Sequence, residues 1–219
     1  MITSSITVQY PWNRIAFYAE YGFLRLLKRK LDLKNLTDSK LVSASIAEAA
    51  VCIFSENGLS VRDSAGQFHL LLASYVLGAM SVLSRIMDNE EAYEMVKYCV
   101  KENGARWVKY SFAVGLWLAR GKFAYIVKNC GYGVKQEFGM GFEIEVETDN
   151  ARYLNTIVHR CAFHELFSKY DSPHLTQLMC EWDNNWADLL KGNRHLSFER
   201  PLTIADGNSR CEFRYRARA

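Results

Sequence analysis

Paired cysteines are missing from this chain. Its six cysteines, Cys52, Cys99, Cys130, Cys161, Cys180 and Cys211, form no CxxC pair. That spacing excludes a dense secreted disulfide scaffold and points to a reducing compartment, the cytoplasm. An uninterrupted apolar run is missing too. The longest candidate, "FHLLLASYVLGAMSVLSRIM", is broken by His69, three serines and Arg85, so it is expected to be a buried helix and no transmembrane segment is predicted. The opening "MITSSITVQYPWNR" is polar, and no secretory leader is expected in it. Charge of one sign is not gathered either. The 27 Lys and Arg residues mostly interleave with 24 acids for a net +3, which argues against nucleic acid as a partner. The exception is the tail, where Arg210, Arg214, Arg216 and Arg218 recur in "RCEFRYRARA". That spacing fits a solvated basic face on an edge strand better than a polyanion site.

What is present fits a globular chain with a sizeable core: 49% of residues are hydrophobic and 23% charged over 219 residues. One α+β domain covering 1–219 is expected, with 1–130 mainly a helical layer and 131–219 carrying a sheet. Breakers are scarce in the first part. Pro11 opens a helix from about Trp12 to Leu31, with Ile15, Tyr18, Phe23, Leu26 and Leu27 as its apolar stripe. A second helix starts after Thr37 or Asp38 as cap and ends at "ENG", and a third, apolar nearly all round, spans about Leu70 to Met87. "DNEEAYEMVKYCVKENG" has an Asp/Asn cap, acids in its first turn and a terminal glycine. A fifth helical run extends from Trp107 to about Val127.

The pattern then changes. Glycines gather at 131, 133, 139 and 141 and read as a flexible lid or turn, because no strand–glycine loop–helix sequence surrounds them as a phosphate cradle requires. Phe142, Ile144 and Val146 alternate with Glu143, Glu145 and Glu147, a half-buried strand, and "RYLNTIVHRC" pairs with it as a hairpin. Two helices follow, "FHELFSKYD" and the run from Pro173. "HLSFERPLTIA", the turn "DGNSR" and "CEFRYRAR" then form a second hairpin. The architecture expected is a helical layer packed on an antiparallel sheet with two helices inserted between its hairpins.

Chemistry concentrates in "HRCAFHELF". A helix starting near Cys161 puts His164 one turn away on the same face, where a helix N-terminus and an imidazole can activate a thiol. In the next helix Cys180 and Asp183 also share a face. Three readings stay open on spacing alone: small buried cysteines beside ordinary surface residues, a zinc site of Cys161, His164 and Cys180 or Cys211, and a thiol or acid/base site. Cys52 and Cys99 read as inert packing. His69 reads as a core histidine, with a pocket-facing role as the other reading.

The strand-end Cys161, the segment Cys180-Glu-Trp-Asp183 and the closing stretch Arg200-Pro-Leu-Thr203-Ile-Ala-Asp-Gly207-Asn-Ser-Arg-Cys211-Glu-Phe213 resemble the L-2-amino-thiazoline-4-carboxylic acid hydrolase family over residues 139 to 216. "DGNSRCEF" is also similar to the end of vinyl-reductase-type ligand-binding domains. The first resemblance implies attack on a ring carbon bonded to sulfur and two nitrogens, opening the ring to a carbamoyl-cysteine. It implies Cys161 as nucleophile or site-lining thiol, His164 as general base and acid, and Asp183 as orienting or proton-transferring carboxylate. Arg200 would clamp the substrate carboxylate, with Cys180, Cys211 and Thr203 as further substrate contacts. No cofactor or metal is called for. The partners expected are a small-molecule substrate and a possible second copy of the chain, with no membrane. A cofactor-free cyclase or isomerase, or a non-catalytic binding domain, remains open on the same scaffold.

Overall fold

The computed structural model describes residues 13–34, 38–58, 61–119, 123–149, 151–191 and 193–218. Pro11, Trp12, Thr37 and Gly192, and the side chains of Ile15 and Tyr18, lie outside what is described. Helix α1 (Asn13–Lys34) buries Phe23, Leu27 and Leu31 at four-residue spacing. Helix α2 (Ser39–Gly58) is capped by Asp38, whose carboxylate accepts from the N–H groups of Lys40 and Leu41, and it buries Val42, Ile46 and Ala50. Helix α3 (Ser64–Leu83) starts earlier than its apolar run because Asp63 caps it through Gly66 N–H. By length and composition α3 could cross a membrane. Here it is the central core helix, and Gly78 lets it approach α2: a Cβ at that position would lie 3.0 Å from Ala50 N and Ile46 O. Helix α4 (Asn89–Glu102) is capped by Asp88 with Glu90 and Glu91 in its first turn, and buries Met95, Val96, Cys99 and Val100.

The run expected to continue to Val127 is divided. Helix α5 (Ala105–Leu118) is followed by short α6 (Phe123–Ile126), a π-helical turn (Val127–Gly133) and α7 (Val134–Phe138). The first glycines of the cluster are therefore helical rather than a lid. Gly131 sits against the sheet, where a Cβ would come within 3.0 Å of the Leu154 side chain. The widened turn and the missing side chain are what let this segment lie close to the strand. Gly139, at φ 71°, ends α7 against the start of α3, with a Cβ position 2.9 Å from Gly66 N. The helical part thus runs to Phe138, past the boundary expected at 130.

Strands β1 (Glu143–Thr148), β2 (Tyr153–Arg160), β3 (Leu196–Leu202) and β4 (Cys211–Ala217) form an antiparallel sheet in the order β1-β2-β4-β3. Between the hairpins come α8 (Ala162–Lys169), a 3₁₀ turn (Pro173–Leu175) and α9 (Thr176–Ala187). The fold is α+β as expected. Pairing of Leu154 with Tyr215 and Phe198 with Tyr215 puts these side chains on the helix-covered face. The edge-strand reading of the arginine tail is corrected: β4 lies between β2 and β3 and has both ladders filled. Its arginines act locally instead. Arg210 and Arg214 donate to Glu212 at 2.7 and 2.9 Å, and Arg216 donates to Asn155 at 3.0 Å.

Leu166 and Phe167 of α8 and Leu178 and Met179 of α9 complete the core of α1 to α4. A second core, with Leu116, Ile126, Leu154, Leu190 and Tyr215, lies under the sheet. A third, of Phe142, Val158, Ile204 and Cys211 with Cys161 and Phe163 against it, joins the ends of β2 and β4 to α8. The inserted helices therefore bridge the two layers. Their junction with β3 and β4 is where the candidate site lies.

Candidate functional site

Arg200 is placed by an irregularity. Strand β3 is an edge strand whose register shifts between Glu199 and Leu202, around Pro201, which cannot donate to the ladder. Arg200 there reaches across to α9. Its Nη1 donates to Asp183 Oδ2 at 3.2 Å and to the Cys180 carbonyl at 3.3 Å, and its guanidinium stands 5.7 Å over the Phe213 ring. Cys180 and Asp183, three residues apart, do share the α9 face, as their spacing requires.

Burial pushes the Asp183 carboxyl up to about 6, against the pull of Arg200 and a hydrogen bond from the Trp186 side chain. Asp183 and Arg200 nevertheless keep 20% and 21% of their side-chain surface accessible. The ion pair is thus mostly covered yet still reaches solvent, a partly exposed position termed the recess. An aromatic cluster adjoins it through Trp186, which hydrogen-bonds Asp183 and packs on Phe198, Phe213 and Tyr215 at 5.1, 6.4 and 6.2 Å. Trp186 is one turn beyond Asp183 on α9, a spacing that could have flagged it in the sequence. Tyr215 bonds Cys130, and its hydroxyl titration is raised by burial.

Three thiols lie within electrostatic reach of this carboxylate. Cys161, Cys180 and Cys211 all feel the charge of Asp183, and Cys211 also accepts from Ile204 N–H at 3.2 Å. All six cysteines are free. Cys161 is the N-cap residue of α8, where a thiol can be activated. Burial wins instead, pushing it up to about 12 against the opposing backbone of His164 and Phe163. At neutral pH it is a thiol. Alkylation followed by mass spectrometry at about pH 7.5 is expected to modify exposed Cys52 first and Cys161 at least ~100-fold more slowly. Fast, selective labelling of Cys161 would restore the activated-thiolate reading.

Two expected members are turned elsewhere. His164 Nδ1 lies 3.1 Å from Thr176 Oγ1, so this hydrogen bond ties the start of α8 to the start of α9 rather than to the thiol. Thr203 builds a turn: its hydroxyl accepts from Asp206 N–H at 3.1 Å and donates to the Asp206 carboxylate at 2.6 Å, ahead of Gly207 at φ 85°. That turn positions Cys211 through Ile204. His159 pairs with Glu145 on the outer face of the sheet at 2.8 Å. Among the described residues no group of three His, Cys, Asp or Glu side chains is placed to hold a metal ion, and the zinc set of Cys161, His164 and a second thiol is not assembled.

A histidine from α3 packs against Phe163 at the start of α8. His69 is ringed by Phe68, Phe138, Phe142 and Phe163, with centroids 5.3 to 5.4 Å away. Its Nε2–H donates to the Glu137 carbonyl at 3.0 Å, which leaves the lone pair on Nδ1, a buried atom without a partner among the described residues. Burial lowers its pKa from the ordinary 6.5, opposed by Glu137 and Asp63. Below 6.5 the unfolded chain therefore takes a proton that the folded chain resists, and stability is lost as pH falls. The contribution of His69 itself is an acid limb in melting temperature between about pH 7.5 and pH 5, superimposed on the opposite contribution of Asp183, whose carboxyl is raised to about 6. In His69→Phe protein that acid limb should flatten, whereas an unchanged limb would exclude His69 as its cause.

The model of the L-2-amino-thiazoline-4-carboxylic acid hydrolase family matches residues 75–215. The chain belongs to this family. The match covers the second half of α3 through β4, so the likeness extends well beyond the C-terminal motifs at 139 to 216. The matched span includes Cys161, His164, Cys180, Asp183, Arg200, Thr203 and Cys211, and His69 lies just ahead of its start. No curated protein matches the chain significantly.

Proposed function

We propose that the protein hydrolyses a small, carboxylate-bearing heterocycle at a ring carbon held between sulfur and nitrogen, with Asp183 activating the attacking water. The observation that carries this reading is the Asp183–Arg200 pair, 3.2 Å apart and partly exposed, with the Trp186 indole bonded to the carboxylate and three thiols within its electrostatic reach. A carboxyl raised toward neutrality can take a proton and return it, and a guanidinium that spends Nη1 on Asp183 keeps its other edge for a substrate anion.

In this reaction the water oxygen bonds to the amidine-like ring carbon as Asp183 removes one water proton. The ring nitrogen takes up a proton as its double bond to carbon becomes single. Collapse of the adduct forms the new C=O bond and breaks the C–S bond, and the remaining proton ends on the departing sulfur. One water is consumed. Cys161, held as a thiol, lines the recess, and the hydrogen bond of His164 to Thr176 keeps α8 and α9 in place. Family membership supports hydrolysis, and the raised Cys161 titration supports water over the thiol as nucleophile.

The test is incubation of the full chain with 2-amino-thiazoline-4-carboxylate and with oxazoline and imidazoline analogues, followed by mass spectrometry for addition of one water and by thiol titration. Ring-opened product is expected, bearing a free thiol in the case of the thiazoline. Absence of turnover across the set sinks the reading. Turnover that vanishes in folded Cys161→Ala protein returns the nucleophile to Cys161.

A further inference from the structure

Helix α5 has two apolar faces. One packs inward: Leu116 is buried, and Phe112 meets Tyr125 and Trp186 at 6.1 and 6.0 Å. Gly115 leaves room for the Tyr125 hydroxyl, which would clash with a Cβ at that position. The opposite face carries Trp107, Tyr110, Val114 and Trp117, spaced three, four and three residues apart, with Leu118 beside them. At that spacing they form one stripe along the helix. Trp107, Tyr110, Trp117 and Leu118 are 71%, 66%, 76% and 68% exposed. Four large apolar side chains this exposed on one helix face exceed the scattered surface hydrophobes of an ordinary monomer.

The charge around the stripe selects its partner. Between Glu102 and Glu137 the sequence has no acid and six cations: Arg106, Lys109, Arg120, Lys122, Lys128 and Lys135. On α5 itself Arg106 and Lys109 are exposed and adjoin the stripe. A second copy docked about a two-fold axis would set these cations against their own equivalents, a repulsive arrangement. An anionic lipid surface meets both features. Tryptophan and tyrosine suit the boundary between headgroups and acyl chains, leucine enters it, and flanking Lys and Arg meet lipid phosphates and carboxylates.

We propose that the outer face of α5 docks the protein on anionic membrane surfaces, lying in the interface plane. This departs from the expectation of no membrane partner, which rested on the lack of a spanning segment. A helix lying on the surface needs none. The docking face is separate from the Asp183–Arg200 recess, so it stands or falls independently of the proposed hydrolysis.

The test is co-sedimentation of the full chain with vesicles of phosphatidylcholine alone and of phosphatidylcholine with phosphatidylserine. Binding to the serine-containing vesicles is expected, about tenfold or more above the neutral ones and weakened by salt. Trp107→Ala/Trp117→Ala protein should keep its circular dichroism and lose binding by about tenfold or more. Arg106→Gln/Lys109→Gln protein should bind about tenfold or more weakly, since each cation near such a surface is worth about fivefold. Failure of the wild type to bind anionic vesicles, or retained binding in both variants, overturns the proposal. So does a wild-type dimer, seen by sedimentation equilibrium without vesicles, that the tryptophan substitutions convert to monomer, because the stripe then belongs to a second copy.

Discussion

Asp183→Asn protein is expected to fold normally and to lose roughly 10²- to 10⁴-fold in kcat, the range that a positioned general base supplies. The same carboxyl sets the pH dependence. With its titration raised to about 6, wild-type kcat/KM should rise with pH below that value, about tenfold per unit, and level off above it. Residual activity of the Asn protein should lack this limb. The stability sign is opposite. Folding raises the titration from 3.8 to about 6, so the protonated form is favoured in the folded state. That contribution is complete below 3.8 and is lost as pH rises through about 6. Asparagine, which imitates the neutral carboxyl, keeps it. At neutral pH the Asn protein is therefore expected to be as stable as wild type or more stable, by on the order of 2 kcal/mol. Chemical denaturation measures this. An inactive but less stable protein would mean that Asp183 serves structure through Arg200, and full activity would exclude it as the base.

The reach of sequence reading depended on whether a signal was local. Helix caps at Asp38 and Asp88, the alternation of Ile144 and Val146 with glutamates, and the turn at Gly207 are set by neighbouring residues, and all appear where spacing put them. The shared face of Cys180 and Asp183 was legible for the same reason. Tertiary contacts decided the rest. Gly131 and Gly133 have the composition of a turn, yet both lie in the π-helical segment, Gly131 where a Cβ would stand 3.0 Å from the Leu154 side chain. The arginines of β4 alternate as an edge strand's would, but strand order is fixed by which hairpins meet. His164 has suitable spacing to Cys161, and a partner twelve residues on, Thr176, takes its ring nitrogen. Asp183 and Arg200 were both selected in sequence, whereas their mutual ion pair depends on the register shift at Pro201.

That ion pair makes Arg200→Gln the second large effect. The expected result is a rise in KM of about 10- to 100-fold for a carboxylate-bearing substrate, the worth of a charge-assisted hydrogen bond in a partly desolvated site. Replacement by Lys should restore only part of it, since a point charge cannot hold Asp183 and a substrate anion along two edges of a fork. An analogue lacking the carboxylate should show little change in KM, which separates clamping from general damage to the recess. Arg200 also lowers the Asp183 titration. Its removal should therefore move the acid limb of kcat/KM to higher pH, a shift that loss of substrate contact alone would not produce. The two residues interact directly, so Asp183→Asn/Arg200→Gln protein should fall short of the summed single losses. Strict additivity, with an unmoved acid limb, would place the carboxylate clamp elsewhere and leave Arg200 as a strut between β3 and α9.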